Sequence, residues 1–314
     1  DLGDVENLAY LLKFDTVYGR SGFDVRVEKS TEVGVPSKLF VNGKEIAFVS
    51  EKEMAKLPWA KYSVDIVIES TGLFTSFEKS KGHLDAGAKR VVITAPVKDK
   101  APEGIKGETV LMGINENVLT DVSISSNASC TTNSASPLMA ILDEAIGVEK
   151  ALLSTVHGYT ASQSIVDGPA KKDWKEGRAA AQNIVPTSTG AAIAVAQALP
   201  QLAGKFDGIS MRVPVPAGSI ADITFIAKRN TTVEEVNNAL IEASKNPRWQ
   251  KVFSVTDEQL VSSDIIGSEF ASIADLGLTR VVDGNLVKVC AWYDNEMGYT
   301  HALVHHVIES AKHI

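Results

Sequence analysis

The sequence lacks any long apolar run, although hydrophobic residues make up 44% of its 314 residues. No stretch approaches the roughly 20 residues that a membrane-spanning helix needs, so we expect a soluble globular protein with no membrane partner. Basic residues are also in the minority, with 31 Lys and Arg against 39 Asp and Glu and a net charge of -8. This balance argues against nucleic acid as a main partner without excluding it. The length is that of two domains.

Cysteine is scarce, and the two that occur have different surroundings. Cys130 lies in the small polar stretch SSNASCTTNSASP, whereas Cys290 lies in the apolar run LVKVCAWY. We do not expect these cysteines to form a disulfide framework, so a reducing, cytoplasmic location is predicted. The acidic start DLGDVENLAYLLKF has no basic region followed by an apolar core and does not resemble a signal peptide. Because the chain opens on Asp1 rather than Met, we expect that an upstream segment is missing from it.

The first half alternates predicted strands with short helices. ENLAYLLK has helical spacing, Asn42-Gly43 separates two apolar stretches as in a hairpin, and FEKSKGHLDAG is a helix closed by Gly87. VDIVIESTG, KRVVITAP, ETVLMGIN and VSISSNAS are predicted strands. Apolar strands separated by short helices are typical of a parallel, doubly wound sheet.

The second half is richer in longer strands. Pro137 is placed in the first turn of a helix that continues through LMAILDEAIG, and KALLSTV is a strand that delivers His157 at its end. The regions 212–228 and 284–294 are β-rich, TVEEVNNALIEAS is a helix, and GYTHALVHHVIESAKHI is a closing helix. This pattern predicts an α+β domain.

Cys130 is the first candidate for chemistry. A thiolate is the reactive form of cysteine, and a helix amino terminus or a nearby imidazolium lowers its pKa. Cys130 is predicted to lie where a strand gives way to a helix, among hydroxyls and an amide; a small buried thiol would fit the same place. Among the six histidines we assign His83 to a surface helix and four others to the last helix, where cations are common: His301, His305, His306 and His313. His157 remains as the candidate base, although a lone histidine at a strand end is often structural.

Signals for anion binding accompany this pair. PTSTGAA can present backbone amides and hydroxyls at a helix start, as phosphate sites do, and ordinary helix capping is the alternative explanation. Arg212 interrupts the apolar SMRVPVP, where its charge is costly unless an anion or a carboxylate meets it. Together with a nucleophile, these features suggest a phosphorylated substrate.

Five motifs then carry a family resemblance: SNASCTTN, TVHGYTASQ, GRAAAQNIVPTSTGAA, MRVPVP and WYDNEMGY. In their order and spacing the sequence resembles phosphorylating glyceraldehyde-3-phosphate dehydrogenases over essentially its whole length. The resemblance implies an α/β fold with a Rossmann-like doubly wound parallel sheet and an α+β catalytic domain containing a mixed sheet. It assigns residues 1–129 plus 296–314 to an NAD-binding domain and residues 130–295 to the catalytic domain.

The resemblance also implies a chemistry and its residues. Cys130 corresponds to the nucleophile that attacks glyceraldehyde 3-phosphate, and His157 to the base. Thr160 and Arg212 match positions that hold the substrate phosphate, and inorganic phosphate would bind at four further residues: Ser129, Thr131, Thr189 and Gly190. NAD is the implied cofactor, and its binding residues would be Asp1, Leu2, Ser70, Thr71, Gly72, Asn295 and Tyr299. Asn295 would meet the nicotinamide carboxamide as both donor and acceptor.

The sequence departs from this family at its start. The opening strand, the Gly-rich pyrophosphate loop and the first helix have no counterpart, which amounts to roughly 30 residues of a Rossmann start. The chain as written is therefore predicted to bind NAD poorly. Asp1, whose carboxylate would repel a ribose phosphate, indicates a preference for NAD over NADP. The family resemblance further implies a homotetramer, with the segment 172–202 between subunits.

Alternatives stay open on the sequence alone. A dehydrogenase acting on erythrose 4-phosphate would carry the same motifs. A cysteine hydrolase or acyltransferase would use the same Cys-His pair without needing Asp1 or Asn295, and a truncated, inactive relative could act as a binding protein. His301 and His305 are spaced as metal ligands on one helix face, but no third ligand is evident, so we predict no metal site.

Overall fold

The computed structural model describes residues 1–32, 35–171 and 173–314. Lys172, the first residue of the segment predicted to lie between subunits, falls outside the described residues. The chain forms two compact units: residues 1–64 with 81–88, and residues 65–80 with 89–314. The second unit contains both a parallel and a mixed sheet. This division differs from the one implied by the resemblance, so the predicted domain boundary between residues 129 and 130 stays a prediction.

The first unit contains a helix and two small antiparallel sheets. Its elements are α1 (Val5–Lys13), β1 (Phe14–Asp15), β2 (Gly19–Arg20), β3 (Val25–Glu28), β4 (Ser37–Val41) and β5 (Lys44–Phe48). Asn42 and Gly43 connect β4 to β5 with φ of 49° and 79°, the left-handed conformation that a two-residue hairpin turn requires. The hairpin predicted from Asn42-Gly43 is confirmed.

His83 corrects an expectation in this unit. The sequence assigns it to a surface helix, but the side chain is only 3% exposed, and Trp59 Nε1 donates a hydrogen bond of 3.1 Å to His83 Nδ1. Flanking lysines suggested an exposed face. The imidazole instead lies on the buried face and serves as the acceptor for a partly buried indole.

The second unit begins with a four-stranded parallel sheet in the order β6-β7-β9-β8. Its elements are β6 (Ile66–Glu69), α2 (Phe77–Asp85, whose residues from 81 onward belong to the first unit), β7 (Arg90–Ile93), β8 (Gly107–Thr109) and β9 (Ile124–Ser126). Because the strands are parallel, their carboxyl ends share one edge, and binding sites of open α/β sheets lie at that edge. The turn 70–72 after β6 and the turn 127–129 after β9 both follow that edge.

Helix α3 (Cys130–Ala145) starts three residues after β9 and forms the centre of the second unit. Ser129 caps it, since Ser129 Oγ accepts a hydrogen bond from Thr132 N at 3.1 Å. Residues 131 to 142 of this helix are all buried. The expectation that Pro137 lies in the first turn is wrong: the helix begins earlier, and Pro137 lies in its interior. The Ser129 cap lies among several hydroxyl residues, so the sequence did not single it out.

The mixed sheet has the strand order β11-β12-β10-β13-β16-β15-β14. Its elements are β10 (Val148–Gly158), β11 (Val185–Ser188), β12 (Phe206–Val213), β13 (Ser219–Ala227), β14 (Phe253–Thr256), β15 (Ser272–Val282) and β16 (Leu286–Tyr293). The pairs β10·β12 and β14·β15 are parallel and the others antiparallel. Helices of the same half are α4 (Ala191–Ala198), α5 (Val233–Lys245) and α6 (Met297–Ala311).

One face of the mixed sheet packs against α3 and α5 and forms the main core. Its largest fully buried side chains include Leu138, Met139 and Leu142 of α3 and Phe225 of β13. Burying each large aliphatic side chain contributes about 1.5–3 kcal/mol. This core fixes α3, and with it Cys130, against the strands that carry His157 and Arg212. The predicted combination of a Rossmann-like parallel sheet and a mixed-sheet α+β region is confirmed.

Among the described residues, short 3₁₀ helices occur at four places in loops: Met54–Lys56, Glu116–Thr120, Trp174–Gly177 and Pro200–Leu202. Within residues 1–32, 35–171 and 173–314, no helix combines the length and the apolar character needed to cross a membrane.

Candidate active site

A thiol and an imidazole meet at the amino terminus of α3. Cys130 Sγ lies 3.3 Å from His157 Nε2, within hydrogen-bonding distance for sulfur. Cys130 is the first residue of α3 and is partly buried, while His157 is the penultimate residue of β10 and only 2% exposed. The predicted junction of strand and helix at Cys130 is therefore present. A nucleophile and a base in contact are the core of cysteine chemistry on a carbonyl.

The other ring nitrogen of His157 faces two groups of opposite character. Nδ1 lies 2.6 Å from the carbonyl oxygen of Gly158 and 2.8 Å from Arg212 Nη1. With the carbonyl as its partner, Nδ1 carries the proton and Nε2 is free to accept the proton of Cys130. With the guanidinium as its partner, Nδ1 must accept, and Nε2 then holds the ring proton. The tautomer needed for a base is thus the one favoured by Gly158.

Burial shifts the pKa of both groups toward the neutral form. Burial, followed by the positive charge of Arg212, lowers the pKa of His157 to about 4. Burial raises the pKa of the Cys130 thiol, against opposing effects of Arg212 and of the Thr131 N–H. The sequence predicted a thiolate favoured by the helix terminus, but here desolvation is the larger effect. Transfer of the Cys130 proton to His157 Nε2, which lies 3.3 Å away, would offset this effect of burial.

Buried hydroxyls fill the space beneath the pair. Tyr293 OH lies 3.0 Å from Thr131 Oγ1 and 2.7 Å from Thr155 Oγ1, and its ring meets that of His157 edge-on at 5.8 Å. Burial raises the pKa of Tyr293, so it stays protonated. Thr131, which the resemblance assigned to phosphate binding, is a buried residue whose hydroxyl contacts Tyr293 OH.

Arg212 is the cation of the site. Register pairs it with His157 across β10 and β12, and its Nη1 also donates to Gly158 O at 3.2 Å. Among the described residues, its buried Nε has no hydrogen-bond partner. A buried donor without a partner costs about 1–3 kcal/mol, which an anion would recover. The sequence allowed a carboxylate as the partner of Arg212. In the described part of the chain, no carboxylate is hydrogen-bonded to it.

The other predicted phosphate residues surround short turns. Thr160 follows His157 by three residues, its Oγ1 lies 3.1 Å from Ser162 Oγ, and its N–H donates to Gln163 Oε1 at 3.3 Å. Gly190 precedes α4 at the cap position, and Thr189 Oγ1 accepts from Ala191 N at 3.2 Å. Thr189 thus satisfies the N–H of the first helical residue, although Gly190 occupies the cap position without a side-chain hydrogen bond, and the assignment of Thr189 and Gly190 to a phosphate site stays a prediction.

Asn295 is held in one orientation, and only half of its predicted role is available. Its Oδ1 accepts hydrogen bonds from Gly218 N at 3.1 Å and from Ser219 Oγ at 3.0 Å. Because both acceptor positions of Oδ1 are used, the amide can serve a bound group only as a donor through Nδ2. The two-way contact expected for Asn295 stays a prediction, and in this structure its oxygen is already engaged by Gly218 and Ser219.

The remaining residues predicted for NAD lie in both compact units. Asp1 and Leu2 belong to the first unit and are exposed, and Asp1 Oδ1 accepts from Gly3 N at 2.7 Å. Ser70, Thr71 and Gly72 form the exposed turn after β6, where Thr71 N donates to Glu69 Oε1 at 2.7 Å and Gly72 has a φ of 72°. Tyr299 of α6 donates from its OH to Ala128 O at 3.1 Å.

Two residues around the site were not identified from the sequence pattern, Ser219 and His306. Ser219 accepts from Gly158 N at 3.2 Å and donates to Asn295, so it links the base to the amide. His306 corrects the expectation of a helix-end cation: it is fully buried and bonded to Asn127 and Ser125. Its spacing of seven residues from Tyr299, two helical turns, is the signal that could have placed both on one face.

His301 and His305 of α6 were considered as a possible pair of metal ligands. His301 Nε2 lies 3.6 Å from Glu269 Oε1, an ion pair only when the imidazole is charged. In the part of the chain that the structure describes, no three His, Cys, Asp or Glu side chains are grouped to hold a metal ion.

Comparison with known families identifies a relationship over both halves of the chain. A family profile described as "Glyceraldehyde 3-phosphate dehydrogenase, C-terminal domain" matches residues 129–295. A second profile, described as "Glyceraldehyde 3-phosphate dehydrogenase, NAD binding domain", matches residues 1–77.

Individual glyceraldehyde-3-phosphate dehydrogenases are also similar to this chain. The glyceraldehyde-3-phosphate dehydrogenase of Mycobacterium avium is 46% identical over 306 residues, 97% of this chain and 86% of the relative. That of Streptomyces coelicolor is 45% identical over 306 residues, 97% of this chain and 87% of the relative. That of Clostridium pasteurianum is 42% identical over 309 residues, with the same coverage. These relationships do not favour the hydrolase or binding-protein alternatives.

Proposed function

The chain belongs to the glyceraldehyde-3-phosphate dehydrogenase family, and we propose that it oxidises glyceraldehyde 3-phosphate with NAD and inorganic phosphate to 1,3-bisphosphoglycerate. The observation that carries the proposal is the contact of 3.3 Å between Cys130 Sγ and His157 Nε2, beside a cation with a free buried donor. A nucleophile, a base and an anion partner are the groups that oxidation of a phosphorylated aldehyde needs.

Cys130 and His157 perform the covalent steps. As Cys130 attacks the aldehyde carbon, its proton passes to His157 Nε2, which returns it to the developing alkoxide and gives a hemithioacetal. Nε2 takes this proton back when the carbon–hydrogen bond breaks and the carbonyl of the thioester forms. NAD, when bound, supplies the acceptor for the hydride. A phosphate oxygen then attacks the thioester carbonyl, the carbon–sulfur bond breaks, and the departing sulfur takes the proton from His157 Nε2, which regenerates both the Cys130 thiol and the neutral base.

Arg212 has two tasks in this scheme. Its Nε and Nη1 groups are suited to the substrate phosphate, with Thr160 as a neighbouring hydroxyl donor. An anion that draws the guanidinium away from Nδ1 leaves the Gly158 carbonyl as the partner of His157, which selects the tautomer that accepts a proton at Nε2. Phosphate binding would therefore prepare the base as well as hold the substrate.

Four residues remain for the attacking phosphate: Ser129, Thr131, Thr189 and Gly190. Ser129 is partly exposed, and the backbone N–H groups at the start of α4 follow Gly190, so both turns offer donors to an anion. The hydroxyl of Thr131 is engaged with Tyr293, which leaves its contribution to the main chain.

The residues present fit the nicotinamide end of NAD. The fixed amide of Asn295 presents Nδ2 as a donor, which suits the oxygen of a carboxamide, and Tyr299 lies one helical turn further along. We propose the turn 70–72 and Asp1 with Leu2 for the rest of the cofactor. The division into an NAD-binding domain (1–129 plus 296–314) and a catalytic domain (130–295) belongs to the same proposal.

A homotetramer and a cytoplasmic location complete the proposal. Aliphatic side chains occupy the face of the mixed sheet opposite α3, including Leu152 at 66% and Ile209 at 51% exposure. Such an apolar face is suited to a second copy of the chain. Two free cysteines fit a reducing compartment.

The test is phosphate-dependent reduction of NAD with glyceraldehyde 3-phosphate, measured by absorbance on the purified protein. Cys130→Ser should lower kcat by at least about three orders of magnitude. Cys290→Ser is the matched control, because burial raises the pKa of the Cys290 thiol to about 11 and it lies away from the site in β16. Full activity of Cys130→Ser would refute the proposal, and faster turnover of erythrose 4-phosphate would reassign the substrate.

A further inference from the structure

A buried histidine that takes no part in the proposed reaction is bonded to the segment leading into Cys130. His306 of α6 is fully buried, with Nδ1 3.0 Å from Asn127 Oδ1 and Nε2 2.8 Å from Ser125 Oγ. The carboxamide oxygen can only accept, so Nδ1 donates to it, and Nε2 accepts from the Ser125 hydroxyl. Burial lowers the pKa of His306 to about 4, which keeps the ring in this neutral form.

The bonded segment is a strained turn. Between the end of β9 and Cys130 the chain passes through Asn127, Ala128 and Ser129. Ala128 is fully buried and has a φ of 53°, in the left-handed region that residues other than glycine rarely adopt. A residue in such a conformation keeps it only when its surroundings over-determine it.

Other hydrogen bonds hold this turn in addition to those of His306. Asn127 N donates to Ile93 O at 2.9 Å, and Asn133 Nδ2 donates to both Asn127 O and Ser129 O. Tyr299 OH donates to Ala128 O at 3.1 Å. Tyr299 and His306 lie seven residues apart on α6, so one face of this helix contacts the turn at two points. The Asn127 side-chain oxygen receives its hydrogen bond from His306.

We propose that His306 is a positioning residue for Cys130, which fixes the turn 127–129 and thereby the first turn of α3 against His157. The proposal rests on the proposed function for its catalytic consequence. If the bond to Asn127 is lost, a buried acceptor is left without a partner, and the strained turn at Ala128 is held less firmly. The N–H of Thr131, which lowers the pKa of Cys130, would move with the turn. The separation of Cys130 Sγ from His157 Nε2 would change as well.

The experiment compares His306→Leu, which keeps the volume and removes both hydrogen bonds, with His306→Gln, which offers a donor and an acceptor. The readout is the pH profile of Cys130 alkylation by iodoacetamide, followed on the peptide that contains Cys130. In His306→Leu we expect alkylation at neutral pH to be about tenfold slower and its midpoint about one pH unit higher. His306→Gln should recover most of the rate. In turnover, His306→Leu should lower kcat by about 10- to 100-fold, with KM changed much less.

Ser310→Ala is the matched control, because Ser310 is buried on the same helix and, among the described residues, its hydroxyl has no partner. It should alkylate like the wild type. If His306→Leu does not fold, Ser125→Ala removes one partner of the ring and should shift the alkylation profile in the same direction. A wild-type alkylation profile in folded His306→Leu, or an equal slowing in Ser310→Ala, would overturn the proposal. Absence of NAD reduction in the wild type would instead refute the proposed function, since alkylation does not depend on it.

Discussion

At the scale of single residues, two buried histidines serve different ends. His157 contacts Cys130 and the cation Arg212, whereas His306 is bonded to a hydroxyl and an amide. Burial lowers the pKa of each from 6.5 to about 4. For His157, a neutral ring is what a base requires, and for His306 it satisfies two buried partners. Both therefore favour the folded state only while they are uncharged.

We predict that these two histidines make the protein sensitive to acid. Each binds a proton near pH 6.5 when unfolded but only near pH 4 when folded, so its contribution is complete above pH 6.5 and is lost as the pH falls toward 4. The loss amounts to about 3 kcal/mol for each group. Urea unfolding between pH 7 and 4 should show a shallower decline for His306→Gln than for the wild type. Ser310→Ala, which changes a buried residue of the same helix that does not titrate, should keep the wild-type slope; equal slopes for all three proteins would contradict the prediction.

The same residues show what sequence reasoning could not reach. His83 and His306 were assigned to exposed helix positions because polar or charged neighbours suggested a solvated face. Whether an imidazole is buried depends on a partner far along the chain, Trp59 for His83 and Asn127 for His306, and no local pattern names that partner. Cys130 was identifiable from the small polar stretch between a predicted strand and a predicted helix, and His157 because it lies near the end of a strand with a clear apolar pattern.

At the scale of elements, the start of α3 combines two uses of the same hydroxyl. Ser129 Oγ accepts from Thr132 N and also lies 2.8 Å from Thr132 Oγ1, so Ser129 caps the helix that carries the nucleophile. Thr232 caps α5 in the same way, accepting from Glu235 N at 3.2 Å, but lies outside the site. The pair separates the effect of a cap on stability from its effect on catalysis.

We predict that Ser129→Ala and Thr232→Ala lower the free energy of unfolding by similar amounts, about 1 kcal/mol each. Only Ser129→Ala should also reduce kcat/KM, because its cap orients the first turn around Cys130 and its hydroxyl is proposed for phosphate. Urea unfolding and initial rates measured on the same preparations provide the check. Equal kcat/KM in the two variants would count against a functional role of the Ser129 cap.

Most elements were predictable, and the exceptions have local causes. The Asn42-Gly43 hairpin, the helix ended by Gly87 and the strand that ends near His157 follow from turn chemistry and apolar spacing. Pro137 was misplaced because a proline usually marks a helix start, whereas here Ser129 begins the helix earlier and Pro137 lies within it, where it cannot donate the regular helical hydrogen bond. The use of both acceptor positions of Asn295 depends on β13, which a sequence pattern does not bring beside it.

At the scale of the whole molecule, the two faces of the mixed sheet differ. One face is covered by α3 and α5, while the other exposes aliphatic side chains on neighbouring strands: Leu152 of β10, Ile209 of β12 and Leu286 of β16. The register places these three residues on the same side as Ile226 and Lys150. Association of copies through this face would remove its apolar surface from water.

We predict that sedimentation gives the wild type a mass of about four chains, the homotetramer implied by the family, and that Leu152→Lys yields smaller species because it places a charge in the apolar contact. Val261→Lys is the control, since Val261 is comparably exposed at 59% but lies outside this sheet. A wild-type mass of one chain, or an unchanged mass for Leu152→Lys, would contradict this assignment of the face.

The most direct test of the proposed chemistry is to trap the covalent intermediate. The protein is mixed with glyceraldehyde 3-phosphate and NAD without inorganic phosphate, quenched rapidly in acid and analysed by mass spectrometry of its peptides. The proposed mechanism predicts a 3-phosphoglyceroyl thioester on the peptide that contains Cys130, absent from Cys130→Ser and lost when phosphate is added before the quench. Reduction of NAD without any acyl group on Cys130, or with the acyl group on Cys290, would contradict it.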